Sequence, residues 1–110
     1  MNKGDVILIQ FPFTDLSGSK FRPAVILINS QEDVTVCFIT TQIKWQSEND
    51  ITIQPSAENG LKKTSLIRLS KITTITKNLV IGRLGSLEQT YLDQLDVNLV
   101  KIFRIEMYLK

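Results

Sequence analysis

The chain has 110 residues, 43% hydrophobic and 22% charged, with a net charge of +2, the balance of one ordinary folded domain. No apolar run exceeds the five residues from Ala24 to Ile28, far short of the about 20 that a membrane-spanning helix needs, and the run Val6 to Ile9 behind Lys3 and Asp5 is too short for a secretory leader. One cysteine, Cys37, excludes an intramolecular disulfide, and the lack of histidine excludes imidazole ligands and every His-assisted nucleophile, so neither a cofactor nor a metal site is expected.

Val, Ile and Thr total 31, of which 26 fall in the first 85 residues, and alanine occurs twice, so that part of the chain prefers strand over helix. In chain order the expected strands are Val6 to Phe11, Pro23 to Asn29, Val34 to Thr40, Asp50 to Gln54, Ser65 to Leu69 and Val80 to Leu84. Turn-forming residues separate them: Asp15 to Ser19, Asn29 to Asp33, Pro55 to Gly60, and Lys77-Asn78. Short strands at this spacing predict a small barrel or sandwich. The pattern changes at Gly85. Ser86 with Gln89 three residues on reads as a capping box, and Leu92, Leu95, Leu99, Phe103 and Met107 recur at helical spacing. One domain is expected, mainly β, with strands over about 5–85 and an amphipathic C-terminal helix over about 86–106.

Two segments carry the candidate chemistry. The first runs through the loop Phe13 to Phe21, with Asp15, Ser17, Ser19 and Lys20, into Arg22-Pro23. Proline cannot donate to a sheet ladder, so it marks a strand start and leaves Arg22 at the strand's mouth. An arginine there can fork two hydrogen bonds onto a phosphate, or pair with Asp15 or Asp5. The second is Ile39-Thr40-Thr41-Gln42, a strand ending in three polar groups before Trp45. Thr40 can donate to a phosphate oxygen, and Trp45 can stack on a base or cover the core. Between Glu58 and Glu88 there is no acid, while Lys62, Lys63, Arg68, Lys71, Lys77 and Arg83 supply six positive charges. Such a stretch can contact phosphates, although solvated edge lysines would read the same way.

Gly4-Asp5-Val6, Arg22-Pro23-Ala24-Val25 and Ile39-Thr40-Thr41-Gln42, followed by Thr64 to Leu69, Ile72 to Ile75 and Gly82 to Gly85, resemble the successive blocks of the MazF/PemK-like toxin family. The resemblance implies an SH3-like barrel with a C-terminal α-helix, a homodimer, and a cytoplasmic, ribosome-independent and metal-independent endoribonuclease acting on single-stranded RNA. It also implies a cognate antitoxin whose tail occupies the RNA groove, with DNA reached only through the antitoxin complex. Position by position, the family's catalytic arginine falls on Arg22 and its catalytic threonine on Thr40. Ser17, Ser19, Lys20, Thr41, Gln42, Trp45 and Arg68 are expected to contact RNA. Where some members carry an acidic base this chain has Ser70, and Asp15 is the substitute. Two alternatives stay open: a barrel that binds RNA or antitoxin with little or no cleavage, and a gyrase-binding toxin of the same fold that acts through Arg104 to Lys110.

Overall fold

Alternating β-branched residues with opposite faces apolar set up strands whose two sides both find cover. The structure, a computed structural model, describes residues 1–12 and 19–106. Six strands form one antiparallel sheet: β1 (Asp5–Pro12), β2 (Ser19–Asn29), β3 (Asp33–Thr40), β4 (Ile51–Ile53), β5 (Ser65–Thr76) and β6 (Val80–Ser86), followed by helix α1 (Gln89–Ile102). The order across the sheet is β4-β5-β3-β2-β1-β6. No described helix is long and apolar enough to cross a membrane.

Along β3, Val34 and Val36 feed one buried cluster with Ile7, Ile9, Ala24, Ile26 and Ile75. Cys37 and Ile39 feed the other, with Val6, Val25, Ile51, Ile53, Ile67, Leu69, Leu87 and Leu95. Helix α1 covers this second cluster. Leu95 is fully buried, and Leu92 and Leu99 pack beside it at helical spacing. Burial pushes the Cys37 thiol up to about 12, aided by the negative charge of Asp50.

The expected barrel is an open, coiled sheet, because its edge strands β4 and β6 are not paired with each other. The loop after β4 bridges them instead. Ser86 N–H donates to the Glu58 carbonyl at 2.8 Å. Gly60, at φ +73°, lies so close to β6 that a Cβ would stand 2.1 Å from the Leu84 carbonyl oxygen, so only glycine fits. Asn59, fully buried, holds this loop: its Oδ1 accepts from Ser56 and Leu61 N–H, and its Nδ2 donates to the Gln54 carbonyl and to Glu88 Oε1.

Four boundaries differ from the sequence reading by three residues or more. Strand β2 starts at Ser19, not at Pro23. Between Ser19 and Pro23 it pairs only with β1, leaving an edge on its other side where a missing N–H is tolerated. Strand β5 continues past Leu69 to Thr76, because a bulge absorbs Leu69 to Lys71 and the pairing with β3 resumes at Ile72↔Cys37. The helix begins at Gln89 and ends at Ile102, short of 86–106, and the capping box does not form. Ser86 closes β6, and its hydroxyl donates to Asp5 Oδ1 at 3.0 Å. Phe103 follows the helix end and is 59% exposed, outside the apolar face; Met107 lies outside the described residues.

Candidate functional site: a cationic cleft where two strands part

Strands β2 and β3 pair from Asn29↔Val34 to Ala24↔Phe38 and no further. Extending that register by two residues sets Arg22 against Thr40. Both strands remain pinned on their outer edges, Arg22 against Ile9 of β1 and Thr40 against Leu66 of β5, so the gap between them is held open by the sheet itself. Pro23 sits at the fork. A cleft of about 290 Å³ fills the gap, lined by Lys20, Phe21, Arg22, Pro23, Ile39, Thr40, Thr41, Gln42 and Ser65.

Among the described residues, the lining contains two cations and no acid. Arg22 is half-buried and, among the described residues, has no hydrogen-bond or ion-pair partner; the same holds for the exposed Lys20. Asp5, one sequence-stated partner for Arg22, is engaged elsewhere. Burial alone would raise its pKa, but bonds from Asn2 N–H and the Ser86 hydroxyl, with the charge of Arg83, outweigh burial and lower it. The Thr40 hydroxyl accepts from Gln42 N–H at 3.1 Å, which fixes the oxygen and leaves its proton for an incoming acceptor. A guanidinium fork and a hydroxyl donor facing each other across a cleft form a donor set for a phosphodiester.

Of the sequence-stated residues, the structure brings together Lys20, Arg22, Thr40, Thr41 and Gln42. Ser19 lies at the start of β2. Asp15 and Ser17 fall outside the described residues. Trp45 stands on the 3-10 turn Ile43–Trp45, 60% exposed, so it does not cover the core, and Lys44 Nζ lies 5.5 Å from its ring centre. Arg68 does not line the cleft; its Nε donates to Asp50 Oδ2 at 3.0 Å. Ser70 is exposed in the β5 bulge. The six-charge stretch is not one face: Arg83 pairs with Asp5, and Lys77 follows β5 at the end of the sheet away from Ser65 and the cleft. Sequence reasoning missed Phe21, which lines the cleft at 55% exposure. Its place between Lys20 and Arg22, an aromatic among cations, was the available signal. It also missed Asp50, whose partners on β5, Arg68 and Ser70, are 18 and 20 residues away.

Fold and site together define a small β protein with a cationic cleft at a strand fork. The chain belongs to the PemK-like, MazF-like toxins of type II toxin–antitoxin systems, whose family model matches residues 2–103. Among solved structures, an endoribonuclease in complex with its cognate antitoxin from a mycobacterial species superposes with a TM-score of 0.74 at 18% identity, covering 97% of this chain and 98% of that one. The Mycobacterium tuberculosis toxin MazF-mt6 superposes with a TM-score of 0.71 at 21% identity, over 92% and 99% of the two chains. At such identities the likeness shows the shared fold. No curated protein sequence matches the chain.

Proposed function

We propose that this toxin is a ribosome-independent endoribonuclease that cleaves single-stranded RNA in the β2–β3 cleft without a metal ion. The observation that carries the reading is the Arg22 guanidinium, unpartnered among the described residues, set opposite the Thr40 hydroxyl where the two strands part. RNA supplies its own nucleophile. The 2′-oxygen attacks the adjacent phosphorus, the bond from phosphorus to the 5′-oxygen breaks, and the products are a 2′,3′-cyclic phosphate and a 5′-hydroxyl. The protein's tasks are alignment and stabilisation of charge on the non-bridging oxygens. Arg22 grips those oxygens by its fork, and Thr40, its oxygen fixed by Gln42 N–H, donates to one of them. Asp15, the carboxylate nearest Arg22 in sequence, is assigned to take the 2′-OH proton, and the leaving 5′-oxygen takes its proton from solvent because guanidinium is a poor acid. Metal independence is supported by the donor set: among the described residues the lining offers cations, hydroxyls and an amide, the chain has no imidazole, and the single Asp15 carboxylate is fewer ligands than a bound cation takes.

Lys20, Thr41 and Gln42 extend the contact along the backbone, and the exposed faces of Phe21 and Trp45 offer stacking surfaces for bases on either side. Ser17 and Ser19 are assigned to the same track. The cognate antitoxin inhibits by placing an acidic segment in this cleft, and DNA is reached only through that complex. The toxin acts in the cytoplasm as a homodimer. Replacing Arg22 by alanine tests the reading: cleavage falls by about 10²–10³-fold or more, the loss typical of one such electrostatic donor, growth arrest disappears, and the melting temperature stays near the parent's. A folded Arg22→Ala protein that cleaves at the parent rate removes this cleft from the reaction.

A further inference from the structure

The segment 41–50, which joins β3 to β4, has no buried apolar side chain to hold it, since residues 41–48 are exposed. Near the cleft, among the described residues, it is shaped by local bonds: from Gln42 N–H to Thr40 Oγ1, from Ile43 N–H to the Thr41 carbonyl, from Trp45 N–H to the Gln42 carbonyl and from Gln46 N–H to the Ile43 carbonyl. Its far end is held differently. Asp50, only 5% exposed, receives Arg68 Nε and Ser47 N–H on Oδ2, both at 3.0 Å, and Ser70 N–H on Oδ1 at 3.4 Å. Its own N–H donates to the Ser47 carbonyl at 3.1 Å. Arg68 stands opposite Phe38, two residues before Thr40 in β3, and Ser70 lies in the bulge of β5. A carboxylate this far from water is costly unless surrounded by donors. Here the donors come from both the segment and β5, so one side chain ties the segment to the strand that pairs with Thr40.

We infer that Asp50 is a positioning residue for the cleft: by clasping Arg68 and Ser70 it fixes where Thr40, Thr41, Gln42 and Trp45 stand relative to Arg22. Asp50 does not line the cleft, and it acts through the segment it anchors. The inference also reassigns Arg68 from an RNA contact to one half of the clasp. Its kinetic consequence rests on the nuclease reading, because misplacing a reacting geometry by about 1 Å can cost 10²-fold in rate.

The experiment uses Asp50→Asn and Arg68→Gln, singly and together, in the full chain, with far-UV circular dichroism confirming the fold. Trp45 is the sole tryptophan and sits on the segment, so its anisotropy decay reads the clasp with no need for cleavage. Each single variant is expected to enlarge the fast component of that decay. Each is also expected to slow single-turnover cleavage at saturating protein by about 10–100-fold, with RNA affinity within about threefold of the parent because uniform binding is retained. The double variant loses no more than the worse single one, as coupled partners require. Should Asp50→Asn fail to fold, Arg68→Lys, which keeps the charge but loses the Nε donor, carries the same readings. Unchanged Trp45 motion in a folded variant, or losses that add in the double variant, overturns the inference. If the parent cleaves no RNA, the nuclease reading fails, and the Trp45 decay still decides whether Asp50 anchors the segment.

Discussion

Single-stranded RNA binding should weaken with salt by an amount set by the few cations that the fold leaves at the cleft, not by all six of the basic stretch. Lys20 and Arg22 line the cleft, and Lys62 and Lys63 precede Ser65, which lines it too. Arg68 and Arg83 are paired with acids, and Lys77 lies beyond the opposite end of β5. With Lys20, Arg22 and one of the two adjacent lysines on phosphates, the slope of log K against log salt is about −2, at roughly −0.7 per contact for single strands. Affinity then falls about 16-fold between 50 and 200 mM salt, by the same slope. Replacing Lys20 by Gln flattens the slope by about 0.7, whereas Lys77→Gln leaves it unchanged. The assay is fluorescence anisotropy with a 2′-O-methyl oligonucleotide, which binds but has no nucleophile. If Lys77→Gln flattens the slope as much as Lys20→Gln, the phosphate track does not run through the β2–β3 fork.

Two further outcomes follow from the core and from Asp5. Leu95, fully buried between α1 and the sheet, should lose about 2–5 kcal/mol of stability on truncation to alanine, measured by urea unfolding. Asp5→Asn should lose about 1–3 kcal/mol near neutral pH, since bonds to a charged acceptor are removed. Because its folded pKa lies below the ordinary 3.8, the carboxylate's contribution is complete above that value and is lost as pH falls through the folded one. The stability gap between parent and Asp5→Asn should therefore be constant from pH 7 to pH 5 and close below 3.8; a gap that widens in acid would contradict the sign.

Much of the architecture is legible in residue patterning. The runs around Val6, Val25 and Val34 became strands because apolar residues alternate between two clusters, whereas the run from Val80, exposed from Ile81 to Leu84, is held by its pairing with β1. The chain's polar interruptions were misleading where tertiary contacts overrode them. Ser70-Lys71 reads as a strand end, but a bulge accommodates it while Asp50 receives the Ser70 N–H. Ser86 reads as a helix cap, but Asp5, distant in sequence and adjacent in space, takes its hydroxyl. Arg22 and Thr40 were legible as residue types at strand ends, and the structure adds that a shared register sets them face to face. Arg68 shows the opposite case. Its charge is visible in sequence, whereas its buried partner is visible only once β4 and β5 are side by side.

The most direct test of the proposed chemistry is to identify the ends produced by cleavage in EDTA and then to place one 2′-deoxyribose at the mapped scissile nucleotide. The account predicts a 2′,3′-cyclic phosphate and a 5′-hydroxyl, no loss of rate in EDTA, and complete resistance of the deoxy-substituted strand, because the attacking oxygen has been removed. Cleavage of that strand, or activity that returns only with Mg²⁺, would contradict it and assign the attack to water.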